Sequence, residues 1–309
     1  MIRMLNRSAL LAVAVTANFS TLNALENPIA SAPAAISAPP AFSQVAPSPL
    51  LERVAVVGAS VSSGAGLLYE LEAHASLVPI LQAAIAPGAW PEGAKPPHDG
   101  GMFAMFTNPT TFGPIQVQSA LQTEPTLVIA LDFLFWYAHG FMGKERRIAR
   151  LVEGLAVLDR FPCPILVGDF PGIEFALEGK SRLTGGPLVW SGMLPDAALR
   201  AQLNELIHAW AAERERVTVA PMASFVEEAH AGPDFGKLIQ VDMLHPTVKG
   251  SLTLVLQSLE KLVEARPELD RSQVVWDIDA AKALVFESTA AARAKAEERK
   301  ARVNALLGR

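Results

Sequence analysis

Hydrophobic and polar positions fall into two alternating patterns along this chain. Short unbroken apolar runs, rich in Val, Ile and Leu, occur at Arg53–Val57, Pro125–Phe135, Pro164–Val167 and Val217–Ala220. Runs of that kind predict strands buried on both faces. Between them, apolar residues recur every three or four positions, as in Lys144–Asp159, where Ile148, Leu151, Val152 and Leu155 share one helical face. The same period predicts helices from about Leu67, over Leu199–Arg214 and over Gly250–Ala265. Strands and helices in alternation predict an α/β fold, a mainly parallel sheet covered on both faces. Two stretches escape both patterns. Residues 86–114 are irregular and dense in Gly and Pro, and residues 174–195 form an excursion long enough to cover a cleft.

The ends of the chain differ from its middle. Arg3 and Arg7 precede an apolar run, Ala9–Ala17, too short to span a bilayer but suited to a signal-peptide core. Val15-Thr16-Ala17 or Ala30-Ser31-Ala32 offers small residues for cleavage, the second hindered by Pro33. The expectation is an exported protein, secreted or periplasmic, that meets a membrane only through this transient segment. Asn27–Pro49 is rich in Pro, Ala and Ser without an apolar face, as in an extended linker. Ala280–Leu307 is alanine-rich and helix-prone, with Arg293, Lys295, Arg299, Lys300 and Arg302 near its end. A partner-binding or anion-facing helix is one reading of it; a solvated helix is the favoured one. The predicted division is a signal region over 1–32, a linker over 33–50, a domain over 51–266 and a helical extension over 267–309.

Composition narrows the chemistry. The 309 residues are 50% hydrophobic, enough for one substantial core. With 26 basic and 31 acidic residues the net charge is -5, which argues against nucleic acid as a partner. Cys163 is the single cysteine, so there is no internal disulfide framework and no multi-cysteine metal site. His98-Asp99 lacks a second histidine at metal-ligand spacing, and Asp169 after the third predicted strand is more simply a turn residue.

Two stretches carry a chemical signal. Val54-Ala55-Val56-Val57-Gly58-Ala59-Ser60 is a strand ending in Gly and then a serine; Asp242-Met243-Leu244-His245-Pro246 places an aspartate three residues before a histidine. A serine hydroxyl becomes a nucleophile when a neutral imidazole takes its proton and a carboxylate holds that imidazole in one tautomer. Ser60, His245 and Asp242 are residues of those three types. The glycine-rich loop after the first strand has a rival meaning as a dinucleotide cradle. Gly58, Gly64 and Gly66 have the wrong spacing for it, and Tyr69 and Tyr137 are not followed by the reductase lysine four residues on.

Together the two stretches resemble the SGNH (GDSL-type) ester hydrolases, which open on a strand and a Gly-x-Ser turn and close on Asp-x-x-His-Pro. The resemblance runs from about Leu51 to Val263. It implies a three-layer α/β/α sandwich of flavodoxin-like topology and a small-molecule, glycan or lipid ester as substrate, with no metal or organic cofactor. It also implies that Ser60 is the nucleophile, His245 the base and Asp242 its orienting partner. The Ser60 amide and a glycine amide, from Gly101 or Gly113, would receive the oxyanion. The chain departs from the family where an oxyanion asparagine is expected: Asp132 stands there. An ionised carboxylate would repel the oxyanion by about 4 kcal/mol at 4 Å and an effective dielectric near 20. Either Asp132 is protonated, or Asn108 supplies the amide, or Asp132 only caps the next turn. Ala59, where the family usually has aspartate, is a second departure. A catalytically impaired binding or scaffold protein of the same fold is therefore the alternative.

Overall fold

The computed structural model describes residues 45–73, 75–181 and 185–306. The expected signal segment and most of the expected linker lie outside them. Five strands, β1 (Val54–Gly58), β2 (His98–Gly101), β3 (Leu127–Ala130), β4 (Ile165–Gly168) and β5 (Val217–Ala220), form one sheet. Its order is β2-β1-β3-β4-β5, and every neighbouring pair is parallel. The helices are α1 (Leu68–Leu71), α2 (Leu77–Ala84), α3 (Pro109–Leu121), α4 (Phe135–Ala138), α5 (Lys144–Leu158), α6 (Ala197–Ala212), α7 (Met222–Ala231), α8 (Phe235–Leu238), α9 (Val248–Ala265) and α10 (Ile278–Leu306). One layer is built from α2, α9 and α10, which pack on one another; the other from α3, α5 and α6. This is a three-layer α/β/α sandwich. None of the described helices is long and apolar enough to cross a membrane.

The strand order places the site. The chain leaves β1 for β2 on one side and returns to β3 on the other, so the connections diverge above the C-terminal ends of β1 and β3. That divergence opens a crevice in doubly wound sheets. Ser60 follows β1 and Asp132 follows β3.

Four expected strands form, one of them much shorter than expected. Of Pro125–Phe135 only Leu127–Ala130 is strand; the chain then turns, and Phe135–Ala138 is helical. Every residue from Leu127 to Ala138 is buried, so the run has no period to mark where the strand stops. β2 lies in the stretch read as irregular, because His98-Asp99-Gly100-Gly101 has no apolar side chain. Backbone pairing with β1 makes it a strand, and Gly100 is needed there: a Cβ would lie 2.8 Å from the Val56 carbonyl oxygen.

Both ends of the expected domain extend outward. Ser48 is fully buried; its amide donates to the Ala89 carbonyl (2.9 Å) and its hydroxyl to that of Glu268 (2.5 Å). At the other end Val274 bridges Ile85, and Leu269, Val275, Ala281 and Val285 are buried. Residues 45–50 and 267–289 are thus packed parts of the domain. From residue 290 to 302 every residue of α10 is exposed.

Candidate active site

The turn after β1 is built around a carboxylate. Asp132 Oδ1 accepts from the Ala59 amide (3.0 Å) and the Ser62 hydroxyl (2.6 Å), and Oδ2 from the Val61 amide (2.7 Å). The Ser62 amide spans both oxygens at 3.3 and 3.4 Å. Gly58 makes this approach possible, since a Cβ there would stand 2.2 Å from Asp132 Oδ1. Gln116 clamps the same glycine, accepting from its amide (2.8 Å) and donating to its carbonyl (3.0 Å). The Ser60 amide is not among those turned to Asp132, and Ser60 lines the neighbouring cavity. Burial pushes the Asp132 carboxyl above the usual range, while the Ser62 hydroxyl and the amides of Ala59, Val61 and Ser62 pull it back.

The second half of the site comes from the loop ahead of α9. His245 Nδ1 donates to Asp242 Oδ2 at 2.8 Å. Asp242 Oδ1 accepts from the amides of Leu244 and His245, both at 3.0 Å, so one carboxylate holds the ring and the turn beneath it. Met243 takes a left-handed φ of +60° to make that turn. Gln240 braces it: its amide donates to the His245 carbonyl (2.8 Å) and its side chain to that of Pro246 (2.9 Å). Thr247 then caps α9, accepting from the Gly250 amide (3.0 Å). Asp242 and His245 are 8% and 6% exposed. Burial pushes the Asp242 carboxyl up, but the His245 ring and the two amides outweigh it, and the net direction is down.

The two halves meet at a cavity of about 50 Å³ lined by Ser60, Asp132, Trp136 and His245 among otherwise apolar side chains. His245 Nε2 is buried there without a hydrogen-bond partner, and so is the Trp136 indole nitrogen. Ser60 and His245, far apart in sequence, thus line one cavity, and Asp242 is hydrogen-bonded to His245 beside it. Of the remaining candidates only Asp132 borders the cavity, its oxygens engaged by the Ala59–Ser62 turn; Gly101, Gly113 and Asn108 are not on its wall. Gly113 lies inside α3, against the Tyr137 hydroxyl. Asn108 is exposed and accepts from the Thr110 hydroxyl (3.0 Å). Gly101 packs against the backbone of Ser62 and Ser63. Among the described residues no Asn or Gln side chain lines the cavity.

Other polar groups have structural work. Asp169 accepts from the Ala223 amide (2.7 Å), at the start of α7. His139 stacks on Phe135 at 3.8 Å, and burial pushes its ring down to about 4, so it stays neutral. Among the described residues no three His, Cys, Asp or Glu side chains are grouped to hold a metal ion. Trp136 is the site residue that sequence reasoning missed, because in an unbroken apolar run nothing distinguishes a wall of the cavity from core.

No family profile and no curated protein sequence matches the chain. Solved structures similar to it include TesA, at 16% identity over 70% of this chain and 99% of that one, with a TM-score of 0.48. A GDSL-like lipase from Bacteroides thetaiotaomicron VPI-5482 is 12% identical over 72% and 91% of the two chains, TM-score 0.41. A carbohydrate esterase family 3 structure from Talaromyces cellulolyticus is 15% identical over 71% and 99%, TM-score 0.41. In its two outer sequence blocks and its parallel three-layer fold, the chain resembles the SGNH (GDSL-type) hydrolases.

Proposed function

We propose that this protein hydrolyses a carboxylic ester through Ser60, His245 and Asp242. The observation that carries the reading is the state of His245: Nδ1 is tied to Asp242, and Nε2 is buried and unpartnered at the cavity that Ser60 lines. With the proton fixed on Nδ1, Nε2 is the basic nitrogen. Ser60 Oγ attacks the ester carbonyl while Nε2 takes its proton, and the resulting imidazolium delivers that proton to the departing alkoxide. Water then attacks the acyl-serine, Nε2 again taking and returning a proton, and the acid leaves. In this reading Ser60 Oγ and His245 Nε2 close to hydrogen-bond distance when substrate binds, a tightening that substrate-free sites commonly require. The Ser60 amide faces the developing oxyanion in this reading, and the Trp136 N–H is the second available donor. The segment over residues 1–32 would export the enzyme.

A fluorophosphonate probe tests the assignment. It is expected to label the wild-type protein and not Ser60→Ala, with p-nitrophenyl butyrate turnover lost in Ser60→Ala and His245→Ala. Labelling of an intact Ser60→Ala protein would end the reading. That no amide side chain among the described residues lines the cavity favours a second reading, a binding module that keeps the fold without catalysis. Turnover that disappears in His245→Ala excludes it.

A further inference from the structure

We infer that the cavity behind Ser60 holds the acyl side of the substrate, and that the substrate is an ester of a short apolar acid of about three to five carbons. The inference rests on the proposed hydrolysis and names its substrate class. The cavity is lined by Ser60 and His245 together with Met222, Phe225 and Val226 of α7, Leu254 of α9 and Ile239. None of those last five side chains is polar. Asp132 also borders the cavity, but its oxygens are occupied by the Ala59–Ser62 turn. A sugar placed there would leave its hydroxyl groups without partners, which a buried site penalises heavily. An alkyl chain meets no such penalty.

Size sets the chain length. A cavity must offer roughly 10–15 Å³ of this kind of volume for each water-sized group. A cavity of about 50 Å³ therefore accepts about three to five such groups. An acetyl group leaves much of the space unfilled, and an octanoyl group exceeds it.

The experiment is a series of p-nitrophenyl esters from acetate to decanoate, with Ser60 labelling by the fluorophosphonate as an independent readout of site integrity. Wild-type kcat/KM is expected to rise about fourfold for each methylene added from acetate, to peak between propanoate and pentanoate, and to fall by octanoate. Phe225→Ala is expected to move the peak to longer esters, and Val226→Phe to move it toward acetate. If Val226→Phe fails to fold, Phe225→Ala alone carries the test. Ser60-dependent turnover that is greatest on acetate, or a chain-length profile unchanged in Phe225→Ala, overturns the acyl assignment and leaves hydrolysis standing. No Ser60-dependent turnover and no labelling of Ser60 overturns both.

Discussion

At the scale of single residues, the site is organised by two carboxylates that do different work. Asp132 gathers three amides and a hydroxyl under the Ser60 turn. Its oxygens point at the turn and accept, which is the opposite of what an oxyanion donor does. Asp132→Ala strands those donors in the interior at about 1–3 kcal/mol each. A clearly lowered denaturation midpoint and slower fluorophosphonate labelling of Ser60 are expected. The pH dependence has a definite sign. A carboxyl raised by burial adds stability below its unfolded pKa, about 3.9, and loses that contribution as pH rises through the raised folded value. Asp132→Asn should remove this falling component, read as a difference in urea midpoint between wild type and variant from pH 3 to 8. A constant difference would mean that the donors offset burial and leave the folded carboxyl titrating as it does in the unfolded chain. Asp242 is depressed, so its contribution is present above about pH 3.9 and fades as pH falls through the lower folded value. Asp242→Asn leaves the ring without its acceptor and should cost about 10⁴ in kcat, as loss of an orienting carboxylate does elsewhere. A loss under tenfold would remove Asp242 from the mechanism.

At the scale of elements, the long excursion after β4 is tied down by one buried arginine. Arg147 of α5 donates to the carbonyls of Ala138 (2.5 Å), Met193 (2.9 Å) and Gly192 (3.1 Å), with Leu194 at 3.4 Å. Desolvation lowers the guanidinium pKa, but an arginine stays charged, so the carbonyl dipoles are its compensation. Arg147→Met should destabilise the fold by about 2–4 kcal/mol by leaving those carbonyls unpaired. Limited proteolysis should then cut first between residues 178 and 195; an unchanged cleavage pattern would show that the clip is dispensable. The same excursion touches the Asp242–His245 loop at Gly179, where a Cβ would lie 1.9 Å from the Asp242 carbonyl oxygen. Helix α10 divides sharply: Ala281, Val285 and Thr289 are buried, and nothing from 290 to 302 is. Ending the chain after residue 290 should change Tm by about a degree or less, since exposed changes are worth within about 0.5 kcal/mol. Ending it after Gln273 removes Val274, Val275 and the buried half of α10, and should unfold or strongly destabilise the domain.

At the scale of the whole molecule, the parallel sheet and the order of its strands put the loops after β1 and β3 beside the loop before α9. The layer architecture could be read along the chain because it follows from periodicity: β-branched runs must be buried on both faces, and 3.6-residue stripes must cover them. The placement of Ser60 after β1 and of Asp242 and His245 on one turn was legible for a related reason, since the Asp-x-x-His turn is local and Gly58 marks a strand that ends at a serine. The sequence by itself therefore determined the α/β class, four of the five strands in location, and the chemical types gathered at the site. Tertiary structure alone decided what depends on partners distant in sequence. β2 exists because β1 offers its backbone, and residues 267–289 belong to the domain because α2 and α9 leave a face for them. Asp132 became the anchor of the Ser60 turn, 70 to 73 residues away, because the parallel register of β1 and β3 brings their ends together. No local pattern encodes that distance.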